Sequence, residues 1–319
     1  MDNGACGDGT AVPPVLDRVL PGLGEMAAVE RLSALSGSDF TSVMLEVARR
    51  RAARETPASV RRRYERDRFT QPGRTAWRSI RRAEDALLAC LPADVEMLAL
   101  SPVVPLGTHS ALATVSQHKV VTAIRACEVA ADPTNALALE AAGRRRALPR
   151  TETVKLAAIQ HVVRAQQFRG LGAPAHFTLF GLVTAGRDEG GYGFQRAALA
   201  EHLRFAVAGP ATTGLRQIRV ALTPLSDAGE RIAAAVIGEL DRDRGPAAAA
   251  VIVLDHAWQR GRGYYRDLCF KIHAHASGEP VEIADGGFTD WTRQLAASSK
   301  ERLLISGIGL DRLAACAAV

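Results

Sequence analysis

The chain has 319 residues, 47% of them hydrophobic, which is enough to build a sizeable core in one large domain or in one domain with an appendage. No apolar run approaches the roughly 18 residues of a membrane span, and no basic start leads into an apolar segment, so neither an anchor nor a signal peptide is indicated and a cytoplasmic protein is expected. Five scattered cysteines (Cys6, Cys90, Cys127, Cys269, Cys316) and eight histidines, none at ligand spacing, argue against a disulfide frame and against a metal site.

Residues 1–24, rich in Gly and Pro and without periodicity, read as a flexible tail or an arm on a partner. Residues 25–91 read as an arginine-rich helical segment. Within it SGSDFTSVMLEVARRRAARE predicts a helix capped by Ser38 or Asp39 and stopped by Pro57. TPASVRRRYERDRF predicts a second, short helix with Pro57 near its start and Pro72-Gly73 at its end. RTAWRSIRRAEDALLACL places Trp77, Ile80, Ala83 or Glu84, Leu87 and Leu88 on an apolar face, with arginines opposite. Thirteen arginines between Arg49 and Arg82 meet Glu55, Glu65 and Asp67, a local balance of +10 that leaves about −4 for the rest of a chain whose net charge is +6. Such a segment could hold an RNA backbone while Tyr64, Phe69 and Trp77 stack on bases, or contact a phosphate-bearing carrier or acidic partner protein, or present a solvated face.

Residues 92–319 change texture. VEMLALSPVVPL, KVVTAIRACEVA, ETVKLAAIQHVVRAQQF, HFTLFGLVTAG, LRQIRVALTPL, AAAAVIVLDHA, YYRDLCFKIHA and ERLLISGIGL are β-branched or aliphatic runs broken by turns. Helices are predicted at TNALALEAAGRRR, FQRAALAEHLRFAV and DAGERIAAAVIGELDRD, and the alanine-rich GPAAAAVIV reads as a crowded buried strand. Irregular interposition of helices among many strands predicts an α+β fold around a mostly antiparallel sheet flanked by helices.

Three stretches in order, RGRGYYRDLCFKI, ADGGFTDW and GIGLDRL, carry the most chemistry. Together they resemble the last third of the histidyl-tRNA synthetase catalytic domain, of the class II synthetase-like fold. Arg260, Gly261, Tyr264 and Tyr265 match its histidine-binding motif, Gly286 and Gly287 its double-glycine turn before a helix, and Gly309, Leu310, Arg312 and Leu313 its third motif. Further back, LSPVVPL resembles the dimer-forming first motif, with Pro102 as its proline. ADPTNALALEAAGRRR resembles the loop and helix that handle the substrate amino group, which makes Asp132 and Thr134 candidates. AIQHVVRAQQFRGLGAPAHFTLFGLVTAG resembles the second motif, with Arg164 at its arginine. The resemblance spans residues 75–319.

The departures bear on specificity. Gln166 stands where the family has a glutamate, and the loop offers Arg169, Ala173 and Ala175 in place of a G-R-x-R pattern. Leu179 and Val183 replace the Gln and Glu that read the imidazole, which implies an apolar wall that would reject a polar side chain through its desolvation cost. Histidine is therefore not the expected substrate. The chain stops soon after the third motif, so no anticodon-binding domain is expected and the acceptor is expected not to be tRNA.

The resemblance implies ATP and Mg2+ as cofactors. Arg164 would grip the α-phosphate and the acyl carboxylate, Arg260 the reacting centre, and Arg312 the γ-phosphate and the adenine ring. Gln166, Phe177, Gly307 and Gly309 would complete the nucleotide site, and Tyr264 and Tyr265 would border the acyl pocket. Guanidinium suits this work because it is always charged and pairs bidentately with phosphate or carboxylate. The expected activity is adenylation of a small carboxylic or amino acid other than histidine. The alternative is a non-catalytic regulatory subunit resembling that of ATP phosphoribosyltransferase. A homodimer is expected in either case.

Overall fold

The computed structural model describes residues 18–23, 26–166, 175–242, 245, 250–258, 263–276 and 279–317. A 3-10 turn (Leu20–Leu23) leads into helices α1 (Met26–Ser33), α2 (Gly37–Ala52) and α3 (Pro57–Tyr64), none of which buries a residue. Ser36, rather than Ser38 or Asp39, caps α2: its hydroxyl accepts the Asp39 N–H at 3.2 Å. Thr56 and Ser59 cap α3 reciprocally, and Pro57 sits in the first turn, where a missing N–H leaves no bond unmade. The helix ends at Tyr64 and does not run on to Pro72-Gly73; residues 65–76 are turns and loop. α4 (Trp77–Cys90) is different in kind, because Ala83, Glu84 and Leu87 are buried. It packs so closely on a later helix that a Cβ at Gly209 would lie 2.3 Å from Leu87 Cδ2.

Two sheets follow. The small one, in the order β2 (Val103–Pro105), β4 (Cys127–Val129), β3 (Thr122–Ala123), is antiparallel; α5 (Thr108–Ala111) and a 3-10 turn (Gln117–Lys119) lie between its strands in sequence. The large one has eight strands: β1 (Glu96–Met97), β5 (Val154–Val163), β6 (His176–Arg187), β11 (Glu301–Gly309), β10 (Glu279–Thr289), β9 (Arg266–Ala276), β7 (Ile218–Pro224) and β8 (Ala250–Leu254). The end pairs β1/β5 and β7/β8 are parallel and every other pair is antiparallel. Helices α6 (Pro133–Ala147), α7 (Gly193–Thr212), α8 (Asp227–Arg242), α9 (Trp291–Leu295) and α10 (Leu310–Ala317) complete a mixed fold with a large, mostly antiparallel sheet.

The side-chain alternation of the strands separates two cores. Phe180, Leu182, Leu304 and Ile308 join Leu87 of α4, Leu203 of α7, Val236 of α8 and Leu313 of α10 on one face. Val183, Ala185, Leu303 and Ile305 join Leu137 of α6, Tyr265 and Trp291 on the other. Covered on both faces, β6 reads as a nearly continuous apolar run. Two readings of the sequence are corrected here. Of the alanine-rich run, residues 250–253 lie in β8, an edge strand in which Ala250 is buried but Val251 is 64% exposed, so this part is not a crowded buried strand; residues 246–249 lie outside the described residues. Gly286 and Gly287 do not form a turn; they lie inside β10, opposite Ser306 and Ile305 of β11 and Phe270 and Cys269 of β9. Their smallness serves close approach, since a Cβ at Gly286 would meet the Phe270 ring at 2.5 Å and one at Gly287 would meet Tyr265 Cδ1 at 2.6 Å.

One buried ion pair locks the α6 face to the sheet. Arg145 reaches Glu301 at 3.0 Å and also donates to the carbonyls of Pro149, Arg150 and Glu152. With the guanidinium and carboxylate 2% and 7% exposed, removal of either partner would strand a charge.

Candidate functional site

The α6 face of the sheet is only partly covered, and the predicted residues converge where the cover ends. Asp132 is the N-cap of α6: its Oδ1 accepts the Thr134 N–H at 2.9 Å and the Thr134 hydroxyl at 2.7 Å. Its Oδ2 meets Arg164 at 3.4 Å. Arg164, just past β5, also donates from Nε to the Ala131 carbonyl at 2.9 Å, and its guanidinium stacks 5.1 Å from the Phe177 ring centroid. A buried layer fixes this corner. The Ala131 N–H donates to His109 Nε2 at 3.1 Å, so the His109 proton sits on Nδ1 and faces Asn135 Oδ1 at 2.6 Å. Glu128, fully enclosed, accepts the N–H groups of Gly107 and His109 and the side-chain amide of Gln117. Those bonds outweigh its burial and hold its pKa below the usual carboxylate value.

Across the face, Tyr264 and Tyr265 meet edge to face at 4.7 Å, and Tyr264 meets Trp291 in the same way at 5.5 Å. The Tyr265 hydroxyl donates to Asp285 Oδ2 at 3.4 Å. Burial, with the nearby Asp285 and Asp132 carboxylates, pushes both phenols well above their ordinary pKa, so they remain hydrogen-bond donors. Burial likewise pushes the Cys269 thiol up to about 12, which removes it as a nucleophile at neutral pH. Between these groups lies a narrow cleft with a cavity volume of about 20 Å³, room for about one water molecule, lined by Asp132, Thr134, Tyr264, Tyr265, Asp285, Ile305, Ser306 and Gly307.

Next to the cleft the floor is bare backbone. A Cβ at Gly307 would meet only Asp285 Oδ1, at 3.9 Å, and one at Gly309 would meet only the Arg312 side chain. Arg312, in the first turn of α10, donates to the Glu282 carbonyl at 3.1 Å, lies 3.7 Å from its carboxylate, and is half-exposed. The same carboxylate pairs with Lys271, whose ammonium sits 4.8 Å from the Trp258 ring centroid. Asp311 accepts the Thr178 N–H at 2.7 Å, tying the start of α10 to β6 beside Phe177.

Thus Asp132, Thr134, Tyr264, Tyr265 and Gly307 line one cleft, with Arg164 and Phe177 on one side and Gly309 and Arg312 at the sheet end. Gly286 and Gly287 act from inside the strand by seating Phe270 and Tyr265. Leu179 and Val183 are buried beneath and are not among the cleft's lining residues. The Gln166 carbonyl accepts from Arg68 at 3.4 Å, and Arg68 also donates to the Ala165 carbonyl. Arg260, Gly261, Arg169 and Ala173 lie outside the described residues. Asp285, Ile305 and Ser306 were not predicted. The signal for Asp285 is present in the sequence, since it stands two residues before Gly287 and so shares its face once 279–289 is read as a strand.

Neither a protein-family model nor a curated protein matches the sequence. Solved structures match the fold. An ATP phosphoribosyltransferase regulatory subunit/histidyl-tRNA synthetase from Bacillus halodurans is 14% identical with a TM-score of 0.61, covering 79% of this chain and 83% of that one. A histidine–tRNA ligase subunit from Alicyclobacillus acidocaldarius is 17% identical with a TM-score of 0.57, covering 79% and 96%. The apo histidyl-tRNA synthetase of S. aureus is 15% identical with a TM-score of 0.56, covering 74% and 64%. No described helix is long and apolar enough to cross a membrane. The chain therefore has a class II synthetase-like fold.

Proposed function

We propose that this face of the sheet binds ATP together with an amino acid other than histidine and joins them as an aminoacyl adenylate, for transfer to an acceptor. The observation that carries this reading is the flanking of a side-chain-free floor, Gly307 and Gly309, by two guanidinium groups, Arg164 on Phe177 and Arg312 on α10. Bringing a carboxylate onto a triphosphate sets two anions against each other, and fixed cations offset that repulsion as charge builds in the transition state. ATP supplies the activated α-phosphorus and pyrophosphate as leaving group. Phe177, Gly307, Gly309 and Arg312 would hold the nucleotide, Arg164 the α-phosphate and the carboxylate, and Arg260 would complete the set. Asp132 and Thr134 would hold the substrate ammonium. Among the described residues no three acidic, His or Cys side chains converge as metal ligands. Magnesium is expected to sit mainly on the triphosphate oxygens, helped by one or two protein carboxylates.

The test is ATP–pyrophosphate exchange across a broad panel of acids. Exchange with at least one acid is expected, reduced about 10²–10³-fold by Arg164→Ala or Arg312→Ala. Silence across the panel would overturn the reading. A second reading, a regulatory subunit that binds its ligand without turnover, draws on the internal engagement of Arg164, whose donors already meet Ala131 and Asp132. It predicts ligand binding with no exchange and stable association with a second protein. A two-fold dimer is proposed for both, through the first-motif region, where Met97, Val103 and Leu106 are exposed. Sedimentation of the purified chain as a monomer would remove it.

A further inference from the structure

We infer that the cleft selects an amino acid whose side chain ends in an ammonium group, with Asp285 as the residue that recognises it. This rests on the reading that the cleft binds an amino acid. The replacement of polar groups by Leu179 and Val183 suggested an apolar pocket, but neither residue lines the cleft, and the charged groups that do line it are Asp132 and Asp285. Both are acidic. The cations around them also have partners within the chain: Arg164 meets Ala131 and Asp132, Lys271 meets Glu282, and Arg312 meets the Glu282 carbonyl.

The two carboxylates differ in what they have left to offer. Oδ1 of Asp132 is taken by the amide and hydroxyl of Thr134, which orients Oδ2 beside Arg164 at the start of α6. Asp285 is less well served. Among the described residues its hydrogen-bond donor is the Tyr265 hydroxyl at 3.4 Å, beyond the roughly 3.0 Å limit of a good O–H···O bond. Burial first, then Glu282 and Asp132, push its pKa above the usual carboxylate value against the opposing pull of Arg164, and a cation placed closer against it would relieve that cost. Glycine keeps the approach open on the β11 side, since Gly307 leaves only space between its Cα and Asp285 Oδ1. Ile305 and the tyrosine rings supply an apolar bed for the methylenes between the two ends of such a substrate. Gly287 makes this possible, because any larger residue would displace the Tyr265 ring that carries the hydroxyl to Asp285.

The experiment is calorimetric titration of the full chain with L-ornithine, L-lysine and L-norleucine, the last keeping the alkyl chain and losing the ammonium. Ornithine or lysine is expected to bind at least about tenfold more tightly than norleucine. Asp285→Asn, checked by thermal melting, is expected to remove that preference. Equal or tighter binding of norleucine, binding of none of the three, or an undiminished preference in Asp285→Asn would each overturn the inference. The native-chain series needs no variant to be decisive. Exchange supported by norleucine and not by the diamino acids would leave adenylation standing and overturn Asp285 as a cation site. Tight binding of a diamino acid with no exchange would do the reverse.

Discussion

Helices α1–α3 bury no residue, and α2 and α3 carry Arg–Glu pairs on or beside their own surfaces, whereas α4 and α6–α8 are held by enclosed side chains such as Leu87, Leu137, Leu203 and Val236. Arg49 and Arg50 share Glu46, Arg61 pairs with Glu65, and Arg63 pairs with Glu55, all with largely exposed guanidiniums. Such pairs contribute roughly 0–1 kcal/mol each and weaken with salt. The segment meets the body through a few polar contacts: Arg68 on the Ala165 and Gln166 carbonyls, His176 on the Gln71 carbonyl at 2.6 Å, and Thr41 at 3.5 Å from the Ile124 carbonyl. Two of these lie at the facing ends of β5 and β6. The difference teaches that one chain holds a body stabilised by burial and an arginine-rich layer whose attachment depends on solution conditions, set beside the candidate site.

The strongest contrast is between ion pairs in the two regions. Arg145→Ala is expected to cost about 3–5 kcal/mol in urea denaturation, because Glu301 keeps its charge in a closed site. Arg50→Ala should cost less than about 1 kcal/mol. The double variant Arg145→Met/Glu301→Leu should recover most of the loss; if it does not, hydrogen bonding to Pro149, Arg150 and Glu152 outweighs the charge. Next in size is a matched pair of apolar truncations. Leu87→Ala removes a fully enclosed side chain seated on Gly209 and should cost about 3 kcal/mol. Val47→Ala, on an α2 position 43% exposed, should change stability by less than about 0.5 kcal/mol. A comparable loss for Val47 would mean that α2 is covered in the working assembly.

The same division governs what could be read from the sequence. Strands β5, β6, β7 and β11 and helices α6–α8 announce themselves because both sheet faces are covered, so their residues are apolar in runs or at helical spacing. β10 is hidden. Pro280, Asp285, Gly286 and Gly287 make EPVEIADGGFT a poor strand in isolation, and it is a strand because β9 and β11 pair with it on both sides. The ordered motifs gave Asp132, Thr134, Tyr264, Tyr265 and Gly307 as neighbours. Asp285 needed the register of β10, including the irregularity between Glu282 and Ala284 that returns Glu282 and Asp285 to the same face as Lys271 and Gly307. The cap of α2 was ambiguous because Ser36, Ser38 and Asp39 are all competent, and only geometry selects Ser36.

The smallest effect, and the most telling for the arginine layer, is its response to pH. His161 Nε2 and His176 Nδ1 lie 2.8 Å apart, His176 Nε2 faces the Gln71 carbonyl, and His161 Nδ1 faces the Thr178 hydroxyl at 3.1 Å. A carbonyl can only accept, so His176 donates from Nε2, and in its neutral tautomer its Nδ1 accepts from His161 Nε2. Burial first, then the charge that His176 would carry, lowers the His161 pKa below its ordinary value, with the Asp311 carboxylate opposing. A base whose pKa is lowered in the folded chain is protonated more readily when that structure opens. The closed arrangement of the two histidines is therefore fully favoured above the ordinary imidazole value of about 6.5 and is weakened as pH falls through and below it. Amide exchange over residues 65–76, corrected for the intrinsic pH dependence, should rise relative to β5 between about pH 7.5 and about pH 5.5, and His161→Gln should flatten that rise. Equal protection at both pH values would show that Arg68, bound to the carbonyls of Ala165 and Gln166, holds the layer without the histidines. The comparison between a burial-held body and a condition-dependent layer would then rest on salt alone.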